Sequence, residues 1–155
     1  MKTLFLFFLF ISCTAMVSAQ NLDKLRLLYR DATQSEELAQ AFYEPLAGVT
    51  KSDRPVFVAY KGAGLMLLAR YEKLTERGPK VKEAVQWIEQ AVADDPTNVE
   101  IRLIRLSVQE HLPKFLKYND NIEDDRQFVQ QALPNVEDAG LKAMIDGYFK
   151  TFSTD

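Results

Sequence analysis

The feature that most constrains this chain is a proline, Pro96, standing between two stretches that each repeat with the period of a helix. Proline donates no backbone N–H, its ring clashes with the preceding turn, and it pushes the residue before it, Asp95, out of helical geometry. On its N-terminal side, residues 80–94 place Val81, Ala84, Val85, Ile88, Ala91 and Val92 on one face, with Lys82, Glu83, Gln86 and Glu89 opposite. On its C-terminal side, Thr97 and Glu100 have the spacing of a capping box. Ile101, Ile104, Val108 and Leu112 then follow on one helical stripe, widened by Leu103 and Leu106.

The competing reading of residues 99–103 is a strand, because Val99, Ile101 and Leu103 alternate with polar residues. Ile104 breaks that phase. No other segment reads as β, and a lone strand cannot satisfy its backbone. Pro96 therefore separates two helices that pack back to back, and the expected class is all-α, built from antiparallel helical hairpins.

The rest of the chain fits that class with six to seven helices. Leu22, Leu25, Leu28, Tyr29 and Ala32 predict a first helix near 22–33. Ser35 can cap a second, with Leu38, Ala41, Phe42 and Leu46 on one face before Pro45 and Gly48 end it. Asp53 and Pro55 suit the start of a third, "VFVAYKGAGLMLLARYEKL", whose nearly unbroken apolar content predicts a central buried helix closed by the turn "ERGPK". Asn121 can cap a sixth, whose first turn holds Glu123, Asp124 and Asp125 and whose inward face is Phe128, Val129, Ala132 and Leu133, with Pro134 and Asn135 as its stop. A last helix over 137–152 carries Leu141, Met144, Ile145, Tyr148, Phe149 and Phe152.

Residues 1–19 stand apart. Lys2, the apolar run Leu4–Ile11 and the small residues closing on Val17-Ser18-Ala19 have the order of a secretory signal peptide, with cleavage expected after Ala19. The run is about half of the ~20 residues a membrane-spanning helix needs. "FISC" also resembles a bacterial lipobox, which would place a lipid on Cys13 and anchor the protein. Loss of 19 from 155 residues leaves 136, a single helical domain over 20–155, without the one cysteine and therefore without a disulfide. Removing Lys2 takes the net charge from −3 to −4. That acidity argues against nucleic acid, which would need a basic stripe. The expected location is periplasmic or extracellular.

Ala84, Ile88, Ala91 and Pro96, followed by "DPTNVE", resemble the second helix and exit of a tetratricopeptide repeat. The resemblance covers about one helix and its exit, roughly 20 residues. It implies a right-handed stack of hairpins that binds another protein or a peptide in a groove. The chain also resembles small exported bacterial proteins with a "YKGA…DP-N-EIR-LR" pattern, and that likeness carries no activity with it.

No catalytic constellation competes. His111 is the only histidine and no cysteine remains to join it, so neither a metal nor a cofactor is expected. "KYNDNIEDD" has Asp124 and Gln130 where a calcium loop needs Gly and Glu. "KGAG" lacks a preceding strand and a GK[ST] ending, so Gly62 and Gly64 are read as marking a close helix crossing. The Asp and Glu residues show no paired spacing. Arg102 and Arg105, three apart on a mostly apolar helix, admit two readings: partners of carboxylates on a neighbouring helix, or an anion clamp in a groove. The second reading, a small-molecule-binding helical domain or weak enzyme with a pocket lined by Tyr60, Arg102, Arg105 and Tyr118, is the alternative to a non-catalytic protein-binding module.

Overall fold

The structure is a computed structural model and describes residues 13–152. Seven α-helices follow one another: α1 (Cys13–Asp31), α2 (Glu36–Tyr43), α3 (Pro55–Ala69), α4 (Leu74–Asp94), α5 (Val99–His111), α6 (Ile122–Ala132) and α7 (Ala139–Phe152). Short 3-10 turns at Glu44–Leu46, Lys114–Leu116 and Leu133–Asn135 make corners between them. Among the described residues there is no strand, so the class is all-α, and residues 99–111 are helical.

α3 is the hub. Eleven of its fifteen residues are buried, and it packs against α2, α4 and α5. Its two inner glycines make that possible on opposite sides. A Cβ on Gly62 would lie 2.8 Å from the Ala84 carbonyl and 2.7 Å from Ile88 Cγ1, both on α4, whereas one on Gly64 would lie 2.9 Å from the Tyr43 ring on α2. Ala84, Ile88 and Ala91 are fully buried along the same contact. Small residues there let backbones approach, and dispersion contacts accumulate over the length of the pair.

The apolar interior divides in two. The larger core gathers α1 to α5 around Phe42, Tyr60, Ile88, Ile101 and Ile104. A smaller one, centred on Leu103, Val129 and Ile145, lies between the outer face of α5 and the α6–α7 hairpin.

Several boundaries differ from the sequence reading. The first helix begins at Cys13 rather than near 22, so the expected cleavage point after Ala19 lies within it; the Leu4–Ile11 run lies outside the described residues. "ERGPK" does not form a turn but belongs to α4, which starts at Leu74. Pro79 sits near the helix start and removes a single backbone donor, while Arg77 ties the preceding corner by donating to the Arg70 and Glu72 carbonyls. Asp53 does not cap α3; its carboxylate accepts from the Thr50 N–H and hydroxyl and closes the loop ahead of the helix. The Thr97–Glu100 capping box is absent. Asn98 is the cap, its Oδ1 accepting from the N–H groups of Glu100 and Ile101, because the Glu100 carboxylate is held elsewhere. Asn121 occupies the cap position of α6 without a side-chain cap bond and accepts instead from Gln109. Ala41 is exposed, and Ala39 takes its place inside α2.

Candidate functional site

Three places concentrate polar or open surface. The first is a buried ionic cluster under α1. Arg26 extends from α1 and donates through Nε and Nη2 to the two oxygens of Glu100 on α5, each at 2.8 Å. Its remaining donors reach Asp23 at 2.8 Å and Asp138, ahead of α7, at 3.0 and 3.1 Å. Tyr60 of α3 donates its hydroxyl to the same Glu100 at 2.5 Å. Burial pushes the Arg26 guanidinium toward losing its proton, but Glu100 and then Asp138 more than offset that, so the cation is held more tightly than usual. The Tyr60 phenol is pushed well above its ordinary value, first by burial and then by the adjacent Glu100. A protonated Tyr60 and a charged Arg26 together satisfy a carboxylate that has lost its water.

The second cluster lies on another face of α5. Asp125 of α6 has no exposed surface and accepts from Arg105 at 2.7 and 2.9 Å and from Arg102. Arg105 also reaches Glu89 of α4 at 3.1 Å, and Tyr118 donates to Glu89 at 2.6 Å. Arg102 stacks over the Phe128 ring at 4.7 Å. Burial first, then the Glu89 carboxylate, raises the Tyr118 phenol far above its usual range.

Of the four residues expected to share a pocket, Arg102, Arg105 and Tyr118 therefore meet, whereas Tyr60 belongs to the Arg26–Glu100 cluster. Arg105 spends its donors on carboxylates of neighbouring helices, and Arg102 donates to Asp125 and to the Pro96 carbonyl. Arg26, Glu89 and Asp125 were not singled out by spacing, because each finds its partner far away in sequence. His111, exposed at the end of α5, places Nδ1 2.6 Å from the Ser107 carbonyl.

The third place is an open groove of about 690 Å³ between α1, the α2 corner and the start of α3. Leu25, Leu28, Leu46, Val49 and Phe57 line it, with Lys24 and Glu44 also on its walls. The α1 periodicity explains its floor: Lys24 and Leu28 stand four apart and share a helical face with Leu25. The groove's walls come from three separate segments, so periodicity alone gave no hint of it.

Among the described residues no cluster of three or more His, Cys, Asp or Glu could hold a metal ion, and no helix is long and apolar enough to cross a membrane. No family model, no curated protein and no solved structure matches the chain.

Proposed function

We infer that the protein is a non-catalytic, exported, helical-repeat-like module of the cell envelope that binds a protein or peptide segment. The observation that carries the reading is the groove between α1, α2 and α3, open to solvent and walled mainly by Leu25, Leu28, Leu46, Val49 and Phe57. Such a surface takes apolar anchors spaced along a helix or an extended segment. Lys24 and Glu44 supply opposite charges that fix the direction in which a segment lies. The ionisable clusters support the same reading from the other side: their charged groups are turned toward one another and do not converge on a cavity.

A photo-crosslinking amino acid at Ala41, an exposed position on the groove wall, tests this in intact cells. A discrete adduct that disappears with Leu28→Glu supports the reading. Labelling no different from that of a probe at Gly147, on α7, overturns it.

A further inference from the structure

We propose that Lys61 is the positioning residue of the groove: its ammonium grips the backbone of residues 47–49 and so keeps Val49 in the groove wall. The proposal rests on the groove being the binding surface.

Lys61 is 8% exposed, on the helix whose other buried residues are all apolar apart from the Tyr60 hydroxyl. An ammonium that has lost its water needs partners for its three N–H groups. It donates to the carbonyls of Ala47 at 2.9 Å and Val49 at 2.5 Å, and it lies over the Trp87 ring, 4.5 Å from the centroid. Among the described residues no carboxylate forms an ion pair with it. Asp53 feels the charge but accepts from the Thr50 N–H and hydroxyl instead. An apolar side chain at this place would fill the core without that desolvation cost, so what the charge contributes is its hold on two carbonyls.

The held stretch cannot fasten itself. Ala47 and Gly48 are exposed and carry no side chain that reaches the body. Their corner has hydrogen bonds of its own, from Ala47 N–H to the Glu44 carbonyl and from Val49 N–H to the Leu46 carbonyl, but these stay within the corner. Leu46 is buried in the core and keeps its place by packing. Val49 is only half-buried, so its seat in the groove depends on the path of the backbone that Lys61 grips. Phe57, one helical turn before Lys61 on the same face of α3, lines the groove as well. α3 thus supplies one part of the wall directly and sets another through the lysine.

A dye reads the wall without any partner. Ala41→Cys in a Cys13→Ser chain, labelled with acrylodan, places the fluorophore at an exposed position on the groove wall. Lys61→Met is expected to move its emission to the red and to speed exchange of the Ala47 and Val49 N–H groups at least about tenfold, with exchange in α5 unchanged as the check on folding. Lys51→Ala, which removes the other cation over Trp87 at 5.7 Å, should change neither. A folded Lys61→Met with both readouts unaltered overturns the proposal. Should that variant fail to fold, the wild-type chain decides. Ala47 N–H and Lys117 N–H make the same kind of bond at exposed 3-10 corners, and only the first corner is tied by a buried lysine. Ala47 should exchange at least about tenfold slower after correction for intrinsic rates; equal rates overturn the proposal. The photo-crosslinker at Ala41 is read separately. Where the wild-type chain captures a partner, Lys61→Met should lose it, and retention counts against the lysine; where it captures none, the groove fails as a binding surface, while dye and exchange still decide whether Lys61 sets the wall.

Discussion

Arg26 and Glu100, 74 residues apart, meet in a two-pronged ion pair of which both partners are buried. The pair fastens α1 to α5, and through Asp138 it also holds the start of α7. A buried pair of this kind costs desolvation, and its removal is asymmetric: losing one partner strands the other charge. Arg26→Met is therefore expected to destabilise by about 3–5 kcal/mol in urea unfolding, and Arg26→Met with Glu100→Gln by clearly less than the sum of the singles. Additive losses would mean that the two side chains do not act on each other.

Asp125 poses the same question with two cations instead of one. Asp125→Asn leaves Arg105 and Arg102 facing a neutral amide and is expected to cost about 3–5 kcal/mol. Arg102→Met should cost least of the three residues, because Arg105 still donates to both Asp125 oxygens and the Arg102 side chain is partly solvated. Denaturant midpoints for these two variants and Arg105→Met give the order directly; Arg102→Met matching Asp125→Asn would contradict it.

Two helical glycines separate packing from propensity. Gly62→Ala forces a methyl against the Ala84 carbonyl and the Ile88 backbone, neither of which is a flexible tip, and should cost about 1–3 kcal/mol despite alanine's better helix propensity. Gly147→Ala, inside α7 with nothing within 4 Å of the new methyl, should instead gain about 0.5–1 kcal/mol. Thermal midpoints that move in opposite directions are the expected readout.

Alkali should unfold the protein through its buried phenols. Burial pushes Tyr29 up to about 12, partly countered by its hydrogen bond with Ser107, and Tyr60 and Tyr118 are raised as well. Each folded value exceeds the unfolded one of roughly 10, so the folded state keeps protons that the unfolded state releases. The stability they provide is complete below that value and falls as pH rises through it. Phenolate absorbance should show one group of the six tyrosines rising gradually and a second rising together with loss of helicity. Tyr118→Phe should move that second step to higher pH.

Gln109 carries a buried Oε1 with no hydrogen-bond partner, while its Nε2 donates to Asn121 at 3.3 Å. An orphaned acceptor costs about 1–3 kcal/mol. Gln109→Met, of similar length, is expected to be neutral or stabilising by about 1 kcal/mol, a sign that calorimetry resolves.

The elements were legible where one residue type forces one backbone outcome. Pro96 ended a helix, and Ile104 settled residues 99–111 as the next one. Ser35 accepts from Leu38 N, as a cap must. Pro79 misled because a proline after Gly78 reads as a turn, yet it stands inside α4 as the sixth residue of that helix. Thr97 and Asn98 are both capping residues one position apart; the choice fell to Asn98 once Glu100 was drawn away by Arg26, a partner no window of sequence contains. The Arg102 and Arg105 carboxylate partners were anticipated as a class, but Asp125 reads locally as one of three acids favoured by a helix dipole. The groove was invisible for the same reason: three segments that are distant in sequence build it.

The division of the interior into two cores has a mechanical consequence. The α6–α7 hairpin rests on only three fully covered apolar residues, and much of its grip on the body passes through Arg26–Asp138, Asp125 with its arginines, and Glu110 with Arg126 and Tyr148. Strong acid, by neutralising those carboxylates, should loosen this fastening while the greasy centre around α3 still holds. The molecule is built to peel from its C-terminal flank, and α5 is the wall that such peeling would lay bare.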